Sequence, residues 1–88
     1  GDVYKRQTLL YFSAAWCGPC KMFGPLMDEV AQELPVTKFD VDIDALETAQ
    51  FNIRNVPAVI LVNEEGTELR RFAGVKSKQQ IIDFYNEQ

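Results

Sequence analysis

Two cysteines, Cys17 and Cys20, stand in this chain of 88 residues with only Gly18 and Pro19 between them. Such spacing admits a redox pair, a structural disulfide, half of a metal site, or two buried packing residues. A disulfide across two residues closes so small a ring that it restrains the unfolded chain little, which weakens the structural reading. A zinc site needs about four ligands, and the chain has no His and no third Cys; zinc would have to be shared between two chains, and no metal is expected. The redox reading has a positive physical reason. A cysteine at the entrance to a helix meets unpaired backbone N–H groups and the positive end of the helix dipole, and both favour a thiolate. Cys17 is then the nucleophile, and Cys20, one turn further on, is placed to resolve a mixed disulfide. Gly18 tolerates a tight entrance, and Pro19 lacks an N–H that the first turn would leave unpaired anyway. Trp16 is either a core aromatic or an exposed indole that shapes the docking surface beside the sulfurs.

This chemistry needs a strand before the cysteines and a helix after them. Residues 8–13 (Thr-Leu-Leu-Tyr-Phe-Ser) form a short apolar run, and residues 36–41 and 57–62 form two more; each predicts a buried strand. Over residues 18–34, Phe23, Leu26, Met27, Val30 and Leu34 recur at steps of three and four, with Asp28, Glu29, Gln32 and Glu33 on the opposite side. That pattern predicts an amphipathic helix ended by Pro35. Pro25 lies inside it and is expected to kink it near Met22. Asp44 with Glu47 and Ser77 with Gln80 offer capping pairs for two more helices, one reaching about Gln50 and one carrying Ile81, Ile82, Phe84 and Tyr85. The stretch Glu64-Glu65-Gly66-Thr67 separates residues 57–62 from a weaker run at 68–73, which predicts a hairpin with Gly66 at positive φ. The order is βαβαββα, an α/β domain whose strand–helix–strand unit implies a parallel pair with a right-handed crossover.

Composition narrows the function. Nine basic and thirteen acidic residues give a net charge of −4, and no basic cluster exceeds Arg70-Arg71, so neither nucleic acid nor an anionic membrane surface is an expected partner. No apolar run approaches a membrane span and no leader with a cleavage pattern opens the chain, so a soluble, cytoplasmic protein is expected. Residues 1–7 show no period and are expected to be a non-native or disordered leader ahead of one domain over 8–88. Asp40, Asp42, Asp44 and Glu47 are expected to be an exposed acidic rim and a helix cap rather than a metal cluster.

Trp16-Cys17-Gly18-Pro19-Cys20-Lys21 resembles the active-site stretch of the thioredoxin family. Pro25 resembles the family's helix proline, Asn55-Val56-Pro57 its cis-proline segment, Gly66 its hairpin glycine and Gly74 the glycine bordering its substrate groove. Lys38-Phe39-Asp40-Val41-Asp42 is similar to its third-strand pattern, and the resemblance covers residues 8–87. It implies a thioredoxin fold trimmed to a four-stranded mixed sheet flanked by helices, a cis Val56–Pro57 peptide, and Lys38 beneath the active site. Three positions depart from the family. Tyr11 stands where a buried Asp usually serves the second cysteine's proton, Ala58 follows the proline where Thr is common, and Ser13 occupies a position that is often aromatic. Only sixteen residues precede Cys17, fewer than the family's opening strand and helix require. The strand at 36–41 is therefore expected to form a bare edge prone to self-association.

The implied function is reduction of protein disulfides by Cys17 and Cys20, with re-reduction by a disulfide reductase such as thioredoxin reductase and no further cofactor. Trp16, Gly18, Pro19, Val56, Pro57, Ala73, Gly74 and Val75 form the expected substrate rim, binding extended segments largely through backbone atoms. Tyr11 and Lys38 are the expected supports behind the sulfurs. Two other readings stand beside this one: an oxidant or isomerase using the same residues, and a redox-independent binding subunit that uses the rim alone.

Overall fold

The computed structural model describes residues 6–87. Residues 1–5 of the expected leader lie outside the described residues. The elements are β1 (Thr8–Ser13), α1 (Gly18–Val30), β2 (Val36–Asp40), α2 (Ala45–Gln50), β3 (Ala58–Val62), β4 (Glu68–Ala73) and α3 (Lys78–Asn86), the expected βαβαββα order. The sheet order is β2-β1-β3-β4, with β1 parallel to β2 and antiparallel to β3, and β3 antiparallel to β4.

This order explains which runs are apolar throughout. β1 and β3 are the inner strands, covered on both faces, so alternation is lost and nearly every residue is buried. On one face Leu9, Tyr11, Val59 and Leu61 pack against Phe23, Met27 and Val30 of α1 and Ile81 of α3. On the other, Leu10, Phe12, Ala58, Ile60 and Val62 meet Phe39, Val41, Phe51 and Ile53. The apolar run at 36–41 predicts burial, but among the described residues β2 is an edge strand, the position expected from the family resemblance, with Thr37 and Lys38 exposed and its other residues half-buried.

The helix boundaries differ from the periodic pattern. α1 stops at Val30 although the apolar spacing continues to Leu34; the chain leaves it in a turn, with Leu34 N–H bonded to the Val30 carbonyl at 2.8 Å. Ser77 and Gln80 form the full reciprocal capping box at the start of α3. Asp44 precedes α2 but does not cap it; its Oδ2 instead accepts from the Asp40 backbone N–H at 2.8 Å. The β3–β4 hairpin turns at Gly66, φ 81°, a conformation that costs glycine least. Asn63 Oδ1 holds the turn by accepting from the N–H groups of Glu65 and Thr67, both at 2.9 Å.

Candidate active site

β1 delivers the chain to the cysteines, and the turn after it begins α1 with Cys17 as the N-cap residue. Cys17 and Cys20 are joined as a disulfide, with their Cα atoms 5.3 Å apart. The Cys20 N–H donates to Cys17 Sγ at 3.2 Å, so the first sulfur sits where an unpaired helix N–H can stabilise negative charge. Pro19 occupies the first turn without wasting a donor. Cys17 and Cys20 are nearly equally covered, at 4% and 6% exposure. They differ in position: Cys17 takes the helix N–H and faces the opposite loop, whereas Cys20 lies within the first turn.

That loop is the Val56–Pro57 segment. Its peptide is cis, and Cys17 Sγ lies 3.7 Å from the Val56 carbonyl oxygen. Gly74, at φ 90°, donates its N–H to the Pro57 carbonyl at 2.8 Å, which ties the end of β4 to the start of β3 beside the sulfurs. Of the expected rim, Trp16, Gly18, Pro19, Ala73 and Val75 are exposed, while Val56 and Gly74 are half-buried. Pro57 is fully buried. Trp16 is 68% exposed and not a core aromatic; its Nε1 donates to Asp42 Oδ2 at 2.9 Å, which fixes the indole over the loop after β2.

Behind Cys20 lies a solvent-open cavity of about 260 Å³ whose lining includes Tyr11, Ser13, Lys38 and Asp40. Register explains the grouping, because Tyr11 pairs with Lys38 and Ser13 with Asp40 across β1 and β2. Tyr11 is buried against the edge of the Phe23 ring, centroids 5.6 Å apart. Burial pushes its phenol above the ordinary value of 10.0, opposed in part by a hydrogen bond with Ser13 and the charge of Lys38 and reinforced by Asp28. Lys38 lines the same cavity from the exposed strand β2, and its ammonium pairs with the Asp28 carboxylate.

The sequence pattern points Asp40 only to an acidic rim. Its spacing from Lys38 is the usable signal, since residues two apart on a strand share a face. Knowing that this face meets the active site required the β1–β2 register.

A family model described as Thioredoxin matches residues 2–87. The thioredoxin of Chlamydia muridarum is 38% identical over 78 residues, covering 85% of this chain and 76% of that protein. That of Haemophilus influenzae is 37% identical over 83 residues, covering 90% and 77%. An X-ray structure of Fasciola hepatica thioredoxin superposes with a TM-score of 0.84 at 26% identity, over 94% of this chain and 81% of that one. With a paired Cys17 and Cys20 at the start of α1 and a cis-proline loop facing them, the chain belongs to the thioredoxin family of thiol–disulfide oxidoreductases.

Proposed function

We propose that this protein reduces disulfides in protein substrates and is itself re-reduced by a partner disulfide reductase, such as a thioredoxin reductase, in the cytoplasm. The observation that carries this reading is the position of Cys17 Sγ, between the Cys20 N–H and the Val56 carbonyl. The helix N–H favours the thiolate, and the groove backbone lies where an extended substrate segment would bring its disulfide. The Cys17 thiolate attacks one substrate sulfur and releases the other as a thiol. Cys20 then attacks Cys17, closes the Cys17–Cys20 disulfide and expels the second substrate thiol, so two electrons pass from the protein to the substrate. Among the described residues no helix is long and apolar enough to cross a membrane.

The test is reduction of an insulin-type disulfide substrate with a supplied reductase. Cys17→Ser is expected to abolish turnover, and Cys20→Ser to accumulate a covalent substrate adduct on Cys17. Stable adducts on Cys20 instead would reverse the roles. Failure of the parent chain to reduce the substrate, together with partner binding that survives replacement of both cysteines, would overturn the redox reading in favour of a binding subunit.

A further inference from the structure

Resolution of the mixed disulfide requires Cys20 to act as a thiolate, and an ordinary cysteine thiol ionises only near pH 8.5. The cavity behind Cys20 determines which groups can help. It exists because Ser13, Ala15 and Gly24 leave space between β1, β2 and the first turns of α1. Being open to solvent and lined by polar groups, it suits water.

The polar groups that line it, and the carboxylates of the neighbouring α1 and post-β2 segments, can be sorted by chemistry. The Tyr11 phenol from β1, raised by burial, keeps its proton at neutral pH. Lys21 from α1 and Lys38 from β2 carry ammonium groups, which donate and do not accept. Asp28 of α1 is engaged with Lys38. Asp42 and Asp44, on the loop that follows β2, are committed to Trp16 and to the Asp40 backbone. Asp40 remains. It is half-buried at the end of β2, beside Ser13 in register. Its Oδ1 accepts from the Asp42 N–H at 2.8 Å, which fixes the carboxylate's orientation. Among the described residues no hydrogen bond engages its Oδ2.

We propose that Asp40, through water in this cavity, accepts the Cys20 proton during the resolving step. The inference rests on the disulfide-reductase reading above. The Cys20 S–H bond breaks, its proton passes by water to the Asp40 carboxylate, and its electron pair forms the bond to Cys17. The bond between Cys17 and the substrate sulfur breaks at the same time. The substrate thiolate leaves and takes up a proton from solvent, and Asp40 returns its proton to the same water.

The test follows both thiols released from an asymmetric peptide disulfide in a single turnover of the reduced full chain, across pH 6 to 9. The first thiol reports attack by Cys17 and the second reports resolution by Cys20. Asp40→Asn keeps an acceptor for the Asp42 N–H and is expected to slow the second phase about tenfold at pH 7, less than the roughly hundredfold or more of a directly bonded general base because water intervenes. The first phase should be unchanged, and the two proteins should converge by pH 9, where the thiol ionises unaided. Ser13→Phe, which fills the cavity, is expected to show the same second-phase defect at pH 7. An Asp40→Asn profile that matches the parent, or that is slowed equally at every pH, overturns the assignment. Loss of both phases in the parent chain itself would instead refute the reductase reading, and this inference would fall with it.

Discussion

Replacing Tyr11 by Asp sets stability against the resolving step. The Tyr11 ring is 2% exposed and lies edge-on to Phe23 at 5.6 Å, so its removal resembles other large-to-small aromatic truncations in cores. Those cost about 3–5 kcal/mol. The new carboxylate would stand near the Lys38 ammonium and the open cavity, which limits the added desolvation cost, so about 4 kcal/mol in total is a fair figure. In a domain of this size each kcal/mol shifts the melting temperature by roughly 4–8 °C, so a drop of roughly 15–30 °C is expected. That is a large part of the roughly 4–13 kcal/mol available to a chain of this length. In exchange, a carboxylate next to Cys20 should speed release of the second substrate thiol a few-fold at pH 7 and less at pH 9. The gain should be greater in the Asp40→Asn background, where the other acceptor is missing. Melting followed by near-UV circular dichroism and the two-phase thiol release measure both effects. A melting temperature within about 3 °C of the parent would refute the packing argument. Unaltered resolution at every pH, in both backgrounds, would show that proton removal does not limit this step.

Tyr11 also predicts an alkaline instability: because burial raises its folded-state pKa, the unfolded chain releases the proton first, so stability is whole below about pH 10 and declines above it. Tyr11→Phe should flatten part of that decline in urea midpoints measured from pH 8 to 11, and an unchanged slope would refute the assignment. Ser77→Ala removes one half of the capping box on α3 and should cost about 1 kcal/mol, read as a melting temperature lower by roughly 4–8 °C. The edge position of β2 is expected to support self-association at high micromolar concentration; a concentration-independent monomer mass by sedimentation would argue against it.

The readable parts of this fold were those in which a single local rule decides the outcome. β3 is legible as five apolar residues because both faces of an inner strand are covered. The Ser77–Gln80 pair is legible because a capping box is built within four residues. Asp44 and Glu47 show the same spacing, yet Asp44 turns back to the Asp40 N–H, a competing partner supplied by the chain's path out of β2. For β2 the apolar residues Val36, Phe39 and Val41 point to burial while the family resemblance points to an edge, and the edge position leaves Thr37 and Lys38 to solvent. Leu34 extends the helical period because its side chain still packs on the core, although the backbone has already left α1. At the site, the cysteines, Trp16 and the proline loop are legible from local sequence and family resemblance. The group behind Cys20 is not, because Tyr11, Ser13, Lys38 and Asp40 come together only through the parallel register of β1 and β2.

The Tyr85 hydroxyl donates to the Gln7 carbonyl at 3.1 Å, which fastens the last turns of α3 to the point where β1 begins. The six residues of β1 then carry the chain about 20 Å before it turns toward Cys17. Both ends of the described chain therefore emerge on the side remote from the disulfide. A dye, a fused domain or a tether to an electrode surface could be attached at either end with the redox face pointing outward, and two such molecules joined end to end would present their sulfurs in opposite directions.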